Sequence, residues 1–375
     1  MNALGRPEIT LQQLATIIII CILTAGNASI ISAIFDFAGR DIYFSLLLSM
    51  VYMLLLVSIY TKLAQRFPRH SIIQYAPALL GKFLGKIIGI LYILFFIAIP
   101  ILVSMEVNFL MLTSFSPQIP VIVIALLHFI PKVYLVWLGL ESMVRITQII
   151  TLPALLLMVL FVLLNIPNYQ LQLLQPFLNH GLVPLLLGTV LMMARMGYLS
   201  LSLMVYPYLK STSSRRLFKT QIMAMAAITL ALAASYSVIM IYGERQTQNF
   251  LFPTFAMIRM IEIGDFLERL DPLLLGVWWF GYWILGAIFY YAGCLAIQQW
   301  AGLKHYRQTV LPLGVIMVMV VALGFRSNFD FRALSVYVIT PLLLVLTFLV
   351  PLLLLMIAAA RGIDSQQIDQ RKKNK

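Results

Sequence analysis

The chain has 375 residues, of which 62% are hydrophobic and only 10% are charged, with a formal net charge of +13. A soluble globular domain carries about 25% charged residues, so this composition excludes one. Apolar runs such as 84–112, 142–164 and 334–360 reach or exceed the roughly 20 residues that a membrane helix needs, and they lack the alternation of barrel strands. We therefore predict an all-α polytopic membrane protein.

About ten transmembrane helices are predicted from the apolar runs and the residues that interrupt them. They fall at about 11–36, 42–64, 84–112, 119–138, 142–165, 182–208, 218–242, 272–300, 309–324 and 334–360. Span four is short and holds Pro120 and Pro131, so a re-entrant segment is the alternative there, which would reverse the orientation of all later spans. The prediction gives a single transmembrane domain, 1–361, followed by a basic tail, 362–375.

The basic residues indicate how the spans are oriented. If both chain ends lie inside, most of the 26 Lys and Arg residues, including Lys132 after Pro131, fall on the inner side, as the positive-inside rule requires. The basic charge is then a topology signal and a contact for anionic membrane lipid, and no nucleic-acid partner is predicted. Both termini are expected to be cytoplasmic.

The first and sixth spans are interrupted by small and polar residues. The interruption in span one includes Thr24, Gly26, Asn27 and Ser29, and that in span six includes Arg195, Gly197, Tyr198 and Ser200. Broken helices place backbone polar groups at mid-membrane depth, where they bind ligands in transporters built from inverted repeats. Close packing of small residues is the alternative. The spacing favours a five-plus-five inverted repeat, with repeat one at about 11–165 and repeat two at about 182–360.

Two ionisable residues, Glu106 and Arg195, lie inside predicted spans. Charges at that depth are costly, and they mark either a functional site or a paired structural bridge. As a functional site, they would hold the charged ends of a zwitterionic ligand. Tyr282 in span eight would present its hydroxyl to the same cavity, whereas His128 is interpreted as a hydrogen-bonded packing residue. The predicted ligand-binding residues are Thr24, Gly26, Asn27, Ser29, Glu106, Arg195, Gly197, Tyr198, Ser200 and Tyr282.

The sequence supports no metal site and no catalytic site. Cys21 and Cys294 lie in apolar segments and are expected in the core, and the four His residues are scattered. We find neither paired aspartates nor a Ser with a suitable base, so we predict no enzymatic activity and no cofactor. Span eight has no Ser or Thr and span five has no Lys, so the sequence does not support a driving ion.

The loop before span eight resembles a known signature. Residues 252–271 read FPTFAMIRMIEIGDFLERLD and precede the tryptophans of that span. Together with Gly139-Leu140-Glu141, Gln175-Pro176-Phe177 and Pro207, this segment resembles the endospore germination permeases, the B subunits of nutrient germinant receptors. The resemblance covers nearly the whole chain. One departure is Leu201, since some members of that family carry a glutamate six residues before the proline.

The resemblance implies a permease-like domain with the LeuT-like fold of the amino acid/polyamine/organocation permease superfamily. It also implies a nutrient sensor in the inner membrane of the dormant spore, which binds a small nutrient such as an amino acid. The implied partners are a germinant receptor A subunit and a C-subunit lipoprotein. An active amino-acid or small-solute permease is the alternative function, because the same helix breaks would serve it.

The signature loop is predicted to form a short amphipathic helix over the outer cavity. Its apolar stripe would consist of Phe255, Ile258, Ile261, Phe266 and Leu270. Two ion pairs, Arg259 with Glu262 and Asp265 with Arg269, would lie on its wet face. A surface connector without a gating role is the alternative.

Overall fold

The computed structural model of the chain describes residues 8–25, 30–114, 117–210, 213–261, 271–324 and 328–373. Within these stretches the chain is almost entirely helical and contains no β-strand. The one β-type pairing in the same stretches is an isolated parallel bridge between Ile9 and Leu209. The predicted all-α membrane fold is thus confirmed.

The first part of the chain forms helices that correspond to predicted spans one to five, with a short helix, α4, between spans two and three. They are α1 (Leu11–Ala25), α2 (Ile30–Ala38), α3 (Ile42–Arg66), α4 (Ile72–Leu80), α5 (Lys82–Ser114), α6 (Val121–Leu138) and α7 (Leu140–Asn165). Gly81 (φ +84°) separates α4 from α5, and Gly139 (φ +98°) separates α6 from α7. These backbone angles strain any residue with a Cβ, so each glycine permits the abrupt change of direction there. Predicted span four is a helix of 18 residues, α6, and Pro131 lies inside it.

The second part of the chain continues with longer and shorter helices in alternation. They are α8 (Leu182–Met196), α9 (Ser202–Val205), α10 (Ser214–Tyr236), α11 (Ile239–Gln248), α12 (Pro253–Arg259), α13 (Asp271–Ala301), α14 (Arg307–Leu323), α15 (Asn328–Leu334), α16 (Thr340–Leu344), α17 (Val350–Arg361) and α18 (Ser365–Lys373). A 3₁₀ segment, Gly197–Leu201, joins α8 to α9. Two π-helical segments, Ser335–Ile339 and Val345–Leu349, connect α15, α16 and α17 into one continuous rod.

Eight helical stretches of the described residues are long and apolar enough to cross a membrane. Two shorter apolar helices, Leu11–Thr24 and Arg307–Leu323, accompany them. The longest stretch, Ile31–Arg66, contains Gly39 at φ +52°, which turns the chain between α2 and α3. The count of ten spans remains a prediction.

Helix α13 lies at the centre of the bundle. It packs against α1, α5, α6, α7 and α14, and 83% of its membrane-length window is buried inside the protein. On the other side, α3 packs against α8 and α10, and α1 packs against α7 and α10. Large apolar side chains such as Leu230 and Leu323 stay exposed on the outer helix faces, as expected for a surface that contacts lipid. Cys21 and Cys294 are both buried and unpaired.

The signature loop begins with α12, whose apolar side chains face the bundle. Phe255 and Ile258 are buried, as is Ile261 just after the helix, and the Phe255 ring lies 6.1 Å from that of Trp278 on α13. The Arg259 guanidinium lies 4.8 Å from the centre of the Phe255 ring. The rest of the predicted stripe, Phe266 and Leu270, and both predicted ion pairs involve positions 262–270, which lie outside the described residues.

Candidate functional site

Arg195 is buried at the end of α8, with only 5% of its surface exposed. Its charge is stabilised by the carbonyl dipoles at the carboxyl end of that helix. Its Nη1 donates a hydrogen bond of 3.1 Å to the hydroxyl of Tyr198. Its Nε and Nη2 have no hydrogen-bond partner among the described residues. A buried donor without a partner costs about 1–3 kcal/mol, and more when it is charged, so these two groups are candidates for binding a ligand.

The helix geometry changes directly after Arg195. The 3₁₀ segment Gly197–Leu201 begins with a glycine that touches the π-helical segment around Thr347, because a Cβ on Gly197 would lie 2.6 Å from Thr347 Oγ1. Ser200, in the same segment, is fully buried, and its Oγ has no hydrogen-bond partner among the described residues. The 3₁₀ segment therefore contributes polar groups to the protein centre that helical hydrogen bonding does not use.

Helix α13 contributes the opposite side of the site. Its Phe289 ring lies 5.4 Å from the ring of Tyr198, and its Tyr282 is buried about two turns earlier. Gly281 allows the end of α1 to approach, since a Cβ there would lie 2.6 Å from Thr24 Oγ1. Together these contacts hold α1, α8 and α13 around a common centre.

Glu106 on α5 completes a group of four polar side chains. It is 6% exposed, and the hydroxyls of Tyr198 and Tyr282 lie close enough to both Glu106 and Arg195 for each charge to act on them. One carboxylate and one guanidinium, with two hydroxyls near both, match the charge pattern of a zwitterion. In a dry environment such charges act over longer distances than in water.

The structure thus brings together four of the predicted residues, namely Glu106, Arg195, Tyr198 and Tyr282. It places Gly197 and Ser200 in the adjoining 3₁₀ segment, and Thr24 against Gly281 at the end of α1. The remaining predicted residues, Gly26, Asn27 and Ser29, lie outside the described residues.

The cavities beside this group are small. One of about 20 Å³ is lined by Thr24, Trp278 and apolar residues of α1 and α7, and one of about 10 Å³ by Tyr198, Cys21 and Ser202 among others. Space of this size holds about one water molecule. In the part of the chain that the structure describes, neither of these two cavities has room for a nutrient-sized ligand.

The sequence analysis missed a set of tyrosines that bind the π-helical segment Val345–Leu349. Tyr92 donates to the Leu346 carbonyl at 2.5 Å, and Tyr60 donates to the Thr347 carbonyl. The Tyr52 hydroxyl lies 3.5 Å from Thr347 Oγ1. A π-helical turn leaves carbonyls to be satisfied by side chains and is frequent at functional sites. The three tyrosines lie in predicted spans two and three among several other hydroxyl-bearing residues, so the sequence alone did not distinguish them.

Lys132 lies inside α6 and is fully buried. It falls within predicted span four, 119–138, although its charge was counted on the inner side. Its ammonium contacts Ser104 on α5 and His128 one turn earlier on α6. His128, interpreted as a packing residue, is therefore part of a buried polar cluster.

A larger cavity of about 530 Å³ lies at the end of the bundle where α2 meets α11. Glu244 lies in the wall of this cavity. Its carboxylate accepts a hydrogen bond of 2.9 Å from Arg40 Nε, and its Oε1 lies 2.9 Å from His180 Nε2. Arg40 also donates to the Gln175 carbonyl, so the loop before α8 is tied to this wall. Among the described residues, no group of three or more His, Cys, Asp or Glu side chains is arranged to hold a metal ion.

Comparison with known proteins places this architecture in a family. A family model described as spore germination protein matches residues 8–329. The chain is 25% identical to spore germination protein KB of Bacillus subtilis (strain 168), over 94% of this chain and 95% of that protein. It is 23% identical to spore germination protein XB of Bacillus anthracis, over 92% of this chain and 95% of that protein.

A solved structure shares the fold. MHP1, a nucleobase-cation-symport-1 family transporter in a closed conformation with bromovinylhydantoin bound, aligns with a TM-score of 0.54 and 13% identity. The alignment covers 91% of this chain and 75% of the transporter. This likeness shows a LeuT-like transporter fold, and the family match extends over most of the chain. The chain belongs to the spore germination permease family.

Proposed function

We propose that this protein is the nutrient-sensing B subunit of a germinant receptor, which binds a small carboxylate-bearing nutrient, such as an amino acid, at its centre. The family membership and the two curated relatives support a role in spore germination. The transporter fold supports a ligand site in the middle of the bundle, where such folds bind their substrates.

The observation that carries the proposal is the free edge of the Arg195 guanidinium. Nε and Nη2 present their N–H groups side by side along one edge, while Nη1, bonded to Tyr198, occupies another. Two parallel N–H donors match the two oxygens of a carboxylate, and this bidentate pairing is among the strongest polar contacts in proteins. A ligand carboxylate would therefore complete the hydrogen bonding of Arg195.

Glu106 supplies the complementary charge for the ligand. An ammonium group of an amino acid would be stabilised near its carboxylate, and the hydroxyls of Tyr198 and Tyr282 lie near both charges. Because the two buried charges have opposite signs, a net-neutral zwitterion leaves the total charge of the site unchanged. A singly charged ligand would add an uncompensated charge inside the membrane, which is costly.

The small volume of two cavities beside the site supports a sensing mechanism in which binding selects a different conformation. The cavities beside Thr24 and Tyr198 are too small for an amino acid, so the ligand binds to a more open arrangement and shifts the population toward it. The 3₁₀ segment and the π-helical segment meet at Gly197 and Thr347, so movement at the site would reach the last membrane helix.

The wider setting follows from the same proposal. The protein would lie in the inner membrane of the spore with both termini on the core side, would contact membrane lipid, and would pass its signal to an A subunit and a C-subunit lipoprotein. No catalytic step and no nucleic-acid partner are part of this function.

The proposal is tested in spores that lack this chain. Germination is monitored as the loss of optical density of the spore suspension. Each amino acid, sugar and nucleoside is added in turn, with and without the gene restored. We expect at least one amino acid to trigger germination only when the chain is present. An unchanged response to every compound would contradict the proposal.

An active small-solute permease is the second candidate, favoured by the fold shared with a transporter. Counterflow of labelled amino acid in proteoliposomes distinguishes the two functions. Binding without counterflow supports a sensor, whereas binding with counterflow shows that the transport cycle is retained.

A further inference from the structure

Ser104, His128 and Lys132 form a closed triangle of polar side chains in the interior of the bundle. All three are fully buried. The Lys132 Nζ lies 2.7 Å from Ser104 Oγ and 3.0 Å from His128 Nδ1, and the third side, from His128 Nδ1 to Ser104 Oγ, measures 3.1 Å. We call these three residues the lysine cluster.

The hydrogen bonds restrict where protons can lie in the lysine cluster. The Ser104 hydroxyl donates to the Pro100 carbonyl at 2.7 Å, so its oxygen can only accept from the other two residues. The contact between Lys132 Nζ and His128 Nδ1 needs one donor and one acceptor. Either the lysine donates to an unprotonated Nδ1, and no hydrogen then lies between Nδ1 and Ser104 Oγ, or a protonated Nδ1 donates to the serine oxygen or to a neutral amine.

The cluster therefore carries at most one positive charge. If both residues were charged, two N–H donors would face each other at 3.0 Å in the buried interior, where like charges repel strongly. The charge gains one further contact, because the ammonium lies 4.6 Å from the centre of the Phe129 ring. Among the described residues, no carboxylate forms an ion pair with Lys132.

The other helices that pack against α6 place few titratable groups near the cluster. On α5 the titratable residue nearest in sequence is Glu106, which belongs to the central site. On α13 the candidates are Tyr282, which is also in that site, and Tyr290, which donates to the Val310 carbonyl. Those of α7 and α14 lie within the first two turns of each helix, namely Glu141, Arg145 and Arg307. Among the described residues, the titratable groups joined by the cluster's own hydrogen bonds are His128 and Lys132.

The cluster also contacts the helix that carries the central site. Gly286 on α13 leaves room for the lysine, because a Cβ there would lie 2.7 Å from both Cε and Nζ of Lys132. Gly286 is four residues, about one turn, from Tyr282. The edge-on ring of Trp279, also on α13, lies 5.3 Å from that of His128. A change of charge in the cluster would act directly on α13.

We propose that Ser104, His128 and Lys132 form a site that binds a single exchangeable proton between α5, α6 and α13, separate from the nutrient site. The ligand of this site is the proton itself. It moves between Nζ and Nδ1 within the cluster, and it leaves to solvent when the cluster becomes neutral. The proposal does not depend on the proposed function, since it concerns the protein without nutrient.

The test follows the ionisation of Lys132 in the purified full-length protein in lipid nanodiscs. Lysine labelled with ¹³C at Cε gives a chemical shift that reports the charge of each amine as the pH is varied. The Lys132 signal is identified by its loss in Lys132→Met or Lys132→Arg, and by its presence in Lys210→Met, a control that removes a lysine with 59% of its side chain exposed. Two variants, His128→Asn and Ser104→Ala, keep the lysine but alter its partners.

We expect the Lys132 signal to titrate apart from the other lysines and its midpoint to move by about one pH unit or more in His128→Asn. Lys210→Met should leave that titration unchanged. A Lys132 signal that follows the exposed lysines would overturn the proposal, as would a midpoint that is the same in wild type and His128→Asn. If Lys132→Met does not reach the membrane, Lys132→Arg provides the assignment, because arginine keeps the charge.

Discussion

Gly197 and Thr347 approach each other so closely that a Cβ on the glycine would lie 2.6 Å from the threonine Oγ1 and 3.0 Å from its Cβ. This contact joins the 3₁₀ segment after Arg195 to the π-helical segment of the last membrane helix. Two pieces of non-α backbone, 150 positions apart in the chain, thus meet directly beside the candidate ligand site.

Gly197→Ala tests how tightly this contact is packed. Overpacking of a filled interior costs about 1–3 kcal/mol, so we expect a lower unfolding temperature of the purified protein and a weaker nutrient response. Gly276→Ala on α13 is the matched control, since nothing lies within 4 Å of its added Cβ. Thr347→Ala should partly restore Gly197→Ala, because it removes the hydroxyl and methyl nearest the new carbon. Equal stability of Gly197→Ala and Gly276→Ala would show that the contact between Gly197 and Thr347 is loose.

Gly39→Ala tests the corner between α2 and α3. The new Cβ would force a residue with φ +52° into a strained conformation, which costs about 1 kcal/mol, and would collide with Glu244 Oε1. Displacement of Glu244 would also break its 2.9 Å bond to Arg40. Gly181→Ala has the same kind of strain at φ +79° but no neighbour within 4 Å. We expect Gly39→Ala to lower the free energy of unfolding by about 1–3 kcal/mol more than Gly181→Ala, measured by denaturant titration. Equal losses of unfolding free energy in Gly39→Ala and Gly181→Ala would show that the contact with Glu244 does not stabilise this corner.

Glu106→Gln tests the partner of the ligand ammonium. Loss of one charge-assisted hydrogen bond is worth about 1.5–3 kcal/mol, so the nutrient concentration for half-maximal germination should rise by roughly tenfold or more. Glu141→Gln, an exposed carboxylate in the first turn of α7, is the control. The amount of protein in the membrane is measured by immunoblot. An unchanged dose response with less protein would instead assign Glu106 a purely structural role.

The sequence predicts the helices well because a membrane imposes a strong and simple constraint. A long apolar run without charges has few alternatives to a membrane-spanning helix, so predicted spans such as 84–112 and 142–165 reappear as α5 and α7. The π-helical segments of the last helix could not be predicted. The segment Val345–Leu349 accepts hydrogen bonds from the hydroxyls of Tyr60 and Tyr92, which come from distant parts of the chain and bind the carbonyls of Thr347 and Leu346.

The site was partly visible for a similar reason. Glu106 and Arg195 attract notice because buried charges are expensive in a membrane, but only the tertiary fold places Tyr198 and Tyr282 near both. Lys132 was counted with the inner-side charges, although it lies within predicted span four. Pro131 lies inside α6, where neighbouring helices satisfy the backbone, and the lysine is buried beside Ser104.

Direct binding to the purified protein tests the central claim, that Arg195 holds a ligand carboxylate. A panel of amino acids, sugars and nucleosides is titrated against wild type, Arg195→Lys and the exposed control Arg216→Lys, and any amino acid that binds is compared with the amine that lacks its carboxylate. Lysine keeps the charge but cannot form the bidentate pair, so we expect at least tenfold weaker binding, roughly 1.4 kcal/mol, in Arg195→Lys. The amine should not bind to wild type, and Arg216→Lys should behave as wild type. Equal affinity of Arg195→Lys and wild type, or binding of the amine as tightly as the amino acid, would contradict the claim.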